Sequence, residues 1–156
     1  MQPIEKRLLE LGLTIPSPPA AVANYVPALR CGSLVYVSGQ ICFDGDGRIA
    51  DAHCGKVGRD VSEVHAREAA RLCGLNILAQ LKSVIGDLEM VVQCVRLCGY
   101  VNVHPGFAAL PLVMNGASDL MVAVFGPRGR HTRTTVGVAE LPLGAAVEIE
   151  AVFAVS

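Results

Sequence analysis

The chain has 156 residues, with 13 basic and 14 acidic side chains and a net charge of −1. That length suits one domain with a real core, and the charge balance offers no positive footprint for a nucleic acid. No apolar run reaches the roughly eighteen residues of a membrane span, and the start, MQPIEKRLLELGLTIP, mixes charges with an amphipathic leucine pattern instead of forming a signal peptide.

The hydrophobic fraction of 52% stands against only 17% charged residues, an apolar balance for this size. Such an excess is expected to be buried between subunits of an oligomer. The cysteines, Cys31, Cys42, Cys54, Cys73, Cys94 and Cys98, form no CxxC pair and no zinc spacing. Free thiols in a cytoplasmic protein, with no metal and no cofactor, are the expectation.

In chain order, Ile4, Leu8, Leu9 and Leu11 recur at helical spacing before Gly12, which predicts a short N-terminal helix. Pro16-Ser17-Pro18-Pro19 then reads as a stiff extended linker. Val22 to Leu29 and Leu34 to Ser38 are β-rich and read as a hairpin turning at Arg30-Cys31-Gly32-Ser33. Asp44-Gly45-Asp46-Gly47 is a turn that lacks the glycine and glutamate of a calcium loop. Gly55 to Gly58 is a candidate for a short further strand.

Ser62 is a good N-cap, and Ala66, Ala70, Cys73, Ile77, Leu81 and Val84 form one stripe that ends at Gly86-Asp87. This predicts a long helix. Val91 to Val103 reads as a mostly buried strand, and Pro111 opens a second helix through Phe125. Asn115-Gly116 weakens that helix's early turns. The last quarter reads as two strands, Thr134–Ala139 and Ala146–Val152, around a Leu141-Pro142-Leu143-Gly144 turn. Glu148 and Glu150 alternate with Val147, Ile149 and Ala151, so both glutamates share one face. Arg133 heads the first strand, where stiff backbone would hold it near a glutamate. The α-β-β-β-α-β-α-β-β order predicts a single α+β domain over 1–156, with about six mainly antiparallel strands and two long helices on one face.

Catalytic patterns of other kinds are weak. Val37-Ser38-Gly39-Gln40 is not a hydrolase elbow, His53, His65, His104 and His131 stand singly, and no phosphate-cradling glycine motif occurs. What remains is Arg133, Glu148, Tyr25 and the Ser38-Gly39 backbone.

Asn24-Tyr25, the Leu34–Ile41 stretch LVYVSGQI, and Arg133–Pro142 followed by Val147-Glu148-Ile149-Glu150-Ala151 resemble the Rid/YjgF family of enamine/imine deaminases. The resemblance runs from about Asn24 to the C-terminus, and residues 1–19, the helix and Pro-rich linker, are expected to extend beyond a family-like core of residues 20–156. It implies a chorismate-mutase-like fold and a homotrimeric barrel with clefts between neighbouring subunits. The activity it implies is hydrolysis of 2-enamine and 2-imine acids, such as 2-aminoacrylate, to 2-keto acids and ammonia. By position, Arg133 matches the arginine that grips the substrate carboxylate and Glu148 the glutamate that handles water. Tyr25 and Gly39 match cleft contacts, and Asn115 a pocket asparagine. Thr135, in the same pocket, stands where the deaminase branch often has cysteine. The chemistry agrees: a guanidinium fork fits a carboxylate bidentately, and a carboxylate beside water can shuttle its proton. The other reading is a non-catalytic protein of the same fold that binds small carboxylate metabolites. Nucleic-acid and membrane partners are not expected.

Overall fold

The computed structural model describes residues 3–21 and 23–156; Met1, Gln2 and Val22, the expected start of the first strand, lie outside the described residues. The elements are α1 (Ile4–Glu10), β1 (Ala28–Cys31), β2 (Leu34–Ile41), α2 (Glu63–Ile85), β3 (Val91–Asn102), α3 (Leu110–Phe125), β4 (Thr132–Val138) and β5 (Val147–Val155), with short 3-10 turns between several of them. One five-stranded sheet has the order β1-β2-β5-β3-β4, antiparallel throughout except for the parallel pair β3–β4.

Five strands replace the expected six. The Gly55–Gly58 segment makes only isolated bridges, Cys54 to Ala145 and Val57 to Val61 and Val103, because its glycines bend the backbone through positive φ. The first hairpin is tighter than expected. Arg30 and Cys31 belong to β1, and Gly32-Ser33 alone turns the chain, with Gly32 at φ +61° and Cys31 facing Leu34.

A larger correction concerns the last two strands. The Pro142–Gly144 turn does reverse the chain, but β3 lies between β4 and β5 and pairs with both. Twelve residues of β3, rich in valine and cysteine, supply a strand buried enough for an interior position.

β5 is central, and its Val147, Ile149, Ala151, Phe153 and Val155 all point into the core. Both long helices cover that face, α2 over β2 and β5 and α3 over β3, β4 and α2. Ser62 caps α2 by accepting from the His65 N–H, and Gly86 ends it at φ +80°. The stripe on α2 ends on buried Ile85, whereas Val84 is 36% exposed. Residues 110–129 are long and apolar enough, by length and composition, to cross a membrane. Here Val113, Met114, Leu120, Met121 and Val124 of α3 are buried within the domain, while Leu112 and Val122 on its outer side are exposed. Phe125 meets Phe153 edge to face at 6.2 Å between ring centroids. Of the cysteines, Cys42, Cys73, Cys94 and Cys98 are buried and all six are free thiols.

Gly116 has a role its poor helix propensity concealed. A Cβ there would sit 2.0 Å from the Arg67 carbonyl oxygen on α2, so its absence sets how closely the two helices approach. Gly116→Ala is therefore expected to destabilise the fold by about 2 kcal/mol, overpacking outweighing the roughly 1 kcal/mol gain in helix propensity. Chemical denaturation of the variant measures the sign directly.

Candidate functional site

Between the linker and the start of β5 lies a cleft of about 440 Å³, lined by Tyr25, Gly39, Glu148, Phe43, Leu143 and the Pro19–Ala21 backbone and side chains. β2 and β5 slip register here: Val37 faces Ala151, yet Gln40 faces Ile149, so Ser38-Gly39 carries one extra residue. Such a bulge re-aims side chains. At Gly39 it creates space, because a Cβ would lie 2.3 Å from the Glu148 carboxylate oxygen Oε1. Glu148 thus packs directly on bare backbone, as the Val-Ser-Gly-Gln stretch allows.

The Glu148 carboxyl is half-buried and accepts no hydrogen bond from the described residues. Burial, reinforced by the negative charge of Glu150, raises its pKa above the ordinary carboxylate value. Glu150, on the same face, accepts a hydrogen bond from the Tyr100 hydroxyl at 3.2 Å. A carboxylate with free lone pairs and a raised pKa, set in a cleft, is suited to taking a proton from water.

Arg133 is elsewhere. It faces Leu97 across the β3–β4 ladder, while Glu148 faces Tyr100 across β3–β5. Leu97 points into the core and Tyr100 to the opposite side of the sheet, so the two catalytic candidates occupy opposite faces. They are also two strands apart, roughly 10 Å of sheet width. One chain does not bring them together.

Arg133 instead meets α3. Its Nη1 donates to Asn115 Oδ1 at 2.8 Å and to Ser118 Oγ at 3.2 Å. Ser118 Oγ lies 2.9 Å from His131 Nε2, and His131 Nδ1 lies 2.6 Å from the Gly129 carbonyl. A carbonyl only accepts, so Nδ1 donates to Gly129, and the Ser118 oxygen accepts from Arg133, whose guanidinium carries only donors. Thr135, two residues along the same face, has a buried Oγ1 without a hydrogen-bond partner among the described residues. The site residues therefore sort into two groups: Tyr25, Gly39 and Glu148 at the cleft, and Arg133, Asn115 and Thr135 at the β4–α3 edge. Ser118 and His131 escaped sequence reasoning. His131 stood as an isolated histidine there, and nothing local marks Ser118, the ninth residue of α3, as its partner.

Residues 5–154 match the model of the YjgF/chorismate mutase-like family, which also carries a provisional endoribonuclease name. The chain belongs to this family. It is 38% identical over 149 residues to Protein TCP17 of Trypanosoma cruzi, covering 95% of this chain and 91% of that one. Among solved structures, the protein Atu1372 of Agrobacterium tumefaciens, of unknown function, shares 47% identity and superposes with a TM-score of 0.89 over 98% of this chain and 94% of its own. RidA of the Antarctic bacterium Psychrobacter shares 27% identity with a TM-score of 0.62, covering 91% and 96%. TdcF of Escherichia coli, solved with bound serine, shares the fold at 23% identity and a TM-score of 0.64, covering 92% and 96%. Membership in the YjgF family accounts for the chorismate-mutase-like architecture: one mixed sheet with its long helices on a single face.

Proposed function

We propose that this YjgF-family protein hydrolyses 2-enamine and 2-imine acids to 2-keto acids and ammonia, in clefts completed by two neighbouring copies of a homotrimer. The observation that carries this reading is the division of the site. The proton-handling carboxylate lies on one sheet face, and the guanidinium fork lies on the other, held on α3 by Asn115 and Ser118. A second copy set against the uncovered sheet face would put one chain's Arg133 edge over the next chain's cleft. That uncovered face also exposes Leu29, Tyr36 and Val136, apolar surface that association would remove from water. The serine bound to TdcF is a small amino acid of the size such a cleft accepts.

In the proposed reaction Arg133 of one copy clamps the substrate carboxylate bidentately. Fixing that end aligns the C2 carbon for attack. The Glu148 carboxylate takes a proton from water as its oxygen bonds to C2. Returned to the imine nitrogen (an enamine reacts as its imine tautomer), that proton completes a neutral carbinolamine. The carbinolamine hydroxyl then passes its own proton to nitrogen through the same carboxylate, the C–N bond breaks as the carbonyl forms, and ammonia leaves.

The test is to generate 2-aminoacrylate in situ and compare the wild type with Arg133→Ala and Glu148→Ala. Acceleration above the spontaneous rate, lost in both variants, supports the proposal. A wild type that binds 2-ketobutyrate but adds nothing to the spontaneous rate overturns the catalytic part in favour of a metabolite-binding protein. Gly39→Ala separates geometry from folding. Its Cβ would collide with the movable end of Glu148, not with backbone, so a drop in activity of about tenfold or more is expected with thermal stability nearly unchanged.

A further inference from the structure

The cleft beside Glu148 extends well beyond what the reacting atoms need, and its walls are held in a way the reaction itself does not require. Two amides one turn apart on α2 are buried in an otherwise apolar stripe: Asn76 and Gln80, exposed by only 1% and 3%. Asn76 Nδ2 donates to the carbonyls of Ile41 and Phe43 at 3.1 and 3.0 Å. Gln80 Nε2 donates to the Pro19 carbonyl at 2.6 Å and to Gln40 Oε1 at 3.4 Å. Gln40, itself 7% exposed, donates onward to the carbonyls of Ser38 and Gly39 at 3.1 and 3.4 Å. Buried amides are costly unless satisfied, and these spend their bonds on the backbone of opposite walls, Phe43 on one side and Pro19 on the other.

The third wall is unusual as well. Leu143, at the tip of the turn before β5, has φ +57° and is 72% exposed. A left-handed conformation is unfavourable for a bulky side chain, and glycine would serve the turn better. Apart from Tyr25, Gln40 and Glu148, the side chains of the described residues lining the cleft are apolar, and none of these residues is a lysine or arginine.

We infer that this cleft is a preformed pocket for the substrate's side chain, with Pro19–Ala21, Phe43 and Leu143 as specificity-determining walls that select 2-imino acids carrying branched apolar side chains. The inference rests on the proposed imine hydrolysis and adds to it the class of substrate. A side chain of three or four carbons gains burial against Phe43 and Leu143. A second carboxylate would meet Glu148 with no cation among the lining residues. The Pro-rich linker is thereby part of the site, tied to it through Gln80.

The test uses the full chain and compares pyruvate, 4-methyl-2-oxopentanoate and 2-oxoglutarate by calorimetry, together with the imines generated in situ from alanine, leucine and glutamate. The expected result is that 4-methyl-2-oxopentanoate binds about tenfold or more tightly than pyruvate, from the added apolar burial, and that 2-oxoglutarate binds most weakly. Leu143→Gly keeps the turn, since glycine adopts φ +57° without strain. It is expected to raise KM severalfold for the leucine-derived imine and to shift KM for the alanine-derived imine far less. Gln80→Met, which releases Pro19 while preserving side-chain length, is expected to do the same. If pyruvate and 4-methyl-2-oxopentanoate bind equally well and both imines are hydrolysed equally fast, the side-chain pocket is refuted while imine hydrolysis stands. If no keto acid binds and no imine is hydrolysed, both readings fall.

Discussion

Chains carrying Arg133→Ala and chains carrying Glu148→Ala, each inactive alone, are expected to recover activity when mixed. The reason is the placement of the two side chains on opposite sheet faces with β3 between them. In the proposed ring, every site takes its guanidinium from one copy and its carboxylate from the next. A ring built from both kinds of chain has one junction where an intact Arg133 meets an intact Glu148. Random assembly makes about three quarters of the trimers mixed, so about a quarter of the wild-type activity should return. Unfolding and refolding the two variants together, or expressing them from one cell, provides the mixture. Each variant refolded alone should show a loss of about a hundredfold or more, as expected for removing charge-assisted carboxylate contacts or the proton acceptor. A mixture as inactive as its components would mean that the site is not shared, and the proposed assembly would fail with it.

Replacing Glu148 by glutamine is expected to lower kcat by about 10²–10⁴-fold, the usual contribution of a positioned acid-base group, while making the protein more resistant to heat. The second effect follows from the direction of the pKa shift. Burial and the Glu150 charge raise the Glu148 pKa in the folded state, so the folded protein binds this proton more tightly than the unfolded chain does. The stability linked to that proton is fully present below the unfolded carboxylate pKa and is lost as pH rises through the folded value. At neutral pH the ionised carboxylate is therefore a burden on the fold, and a neutral amide removes it. The melting temperature of Glu148→Gln should exceed that of the wild type at neutral pH, and the difference should shrink on acidification. Wild-type activity should fall on acidification as the carboxylate is protonated, beginning at a higher pH than an ordinary glutamate would give. A variant that loses activity and melts earlier at neutral pH would assign Glu148 to structure instead.

Much of this protein is legible from local pattern. The stripe on α2, its Ser62 cap and the Gly86 stop are all short-range signals, and each is realised in the helix. The alternation of β5, which sends Val147, Ile149 and Ala151 inward and Glu148 and Glu150 outward, follows from the period of two in an extended chain. The motifs around Tyr25, Gly39, Arg133 and Glu148 pointed to the family because each motif is contiguous in sequence.

What lay beyond that reading depends on pairings between distant parts of the chain. Nothing in residues 130–156 says that β3, some forty residues earlier, will insert between β4 and β5, yet that insertion separates Arg133 from Glu148 by a strand, and the register along β3 puts them on opposite faces. Gly116 looked like a defect until α2 was laid against it, and the acceptors that satisfy Asn76 and Gln80 come from β2 and the linker, far away in sequence. Periodicity tells each residue which side of its own element it occupies. Strand order and helix docking, settled by the joint burial of segments far apart in the chain, decide what waits on that side.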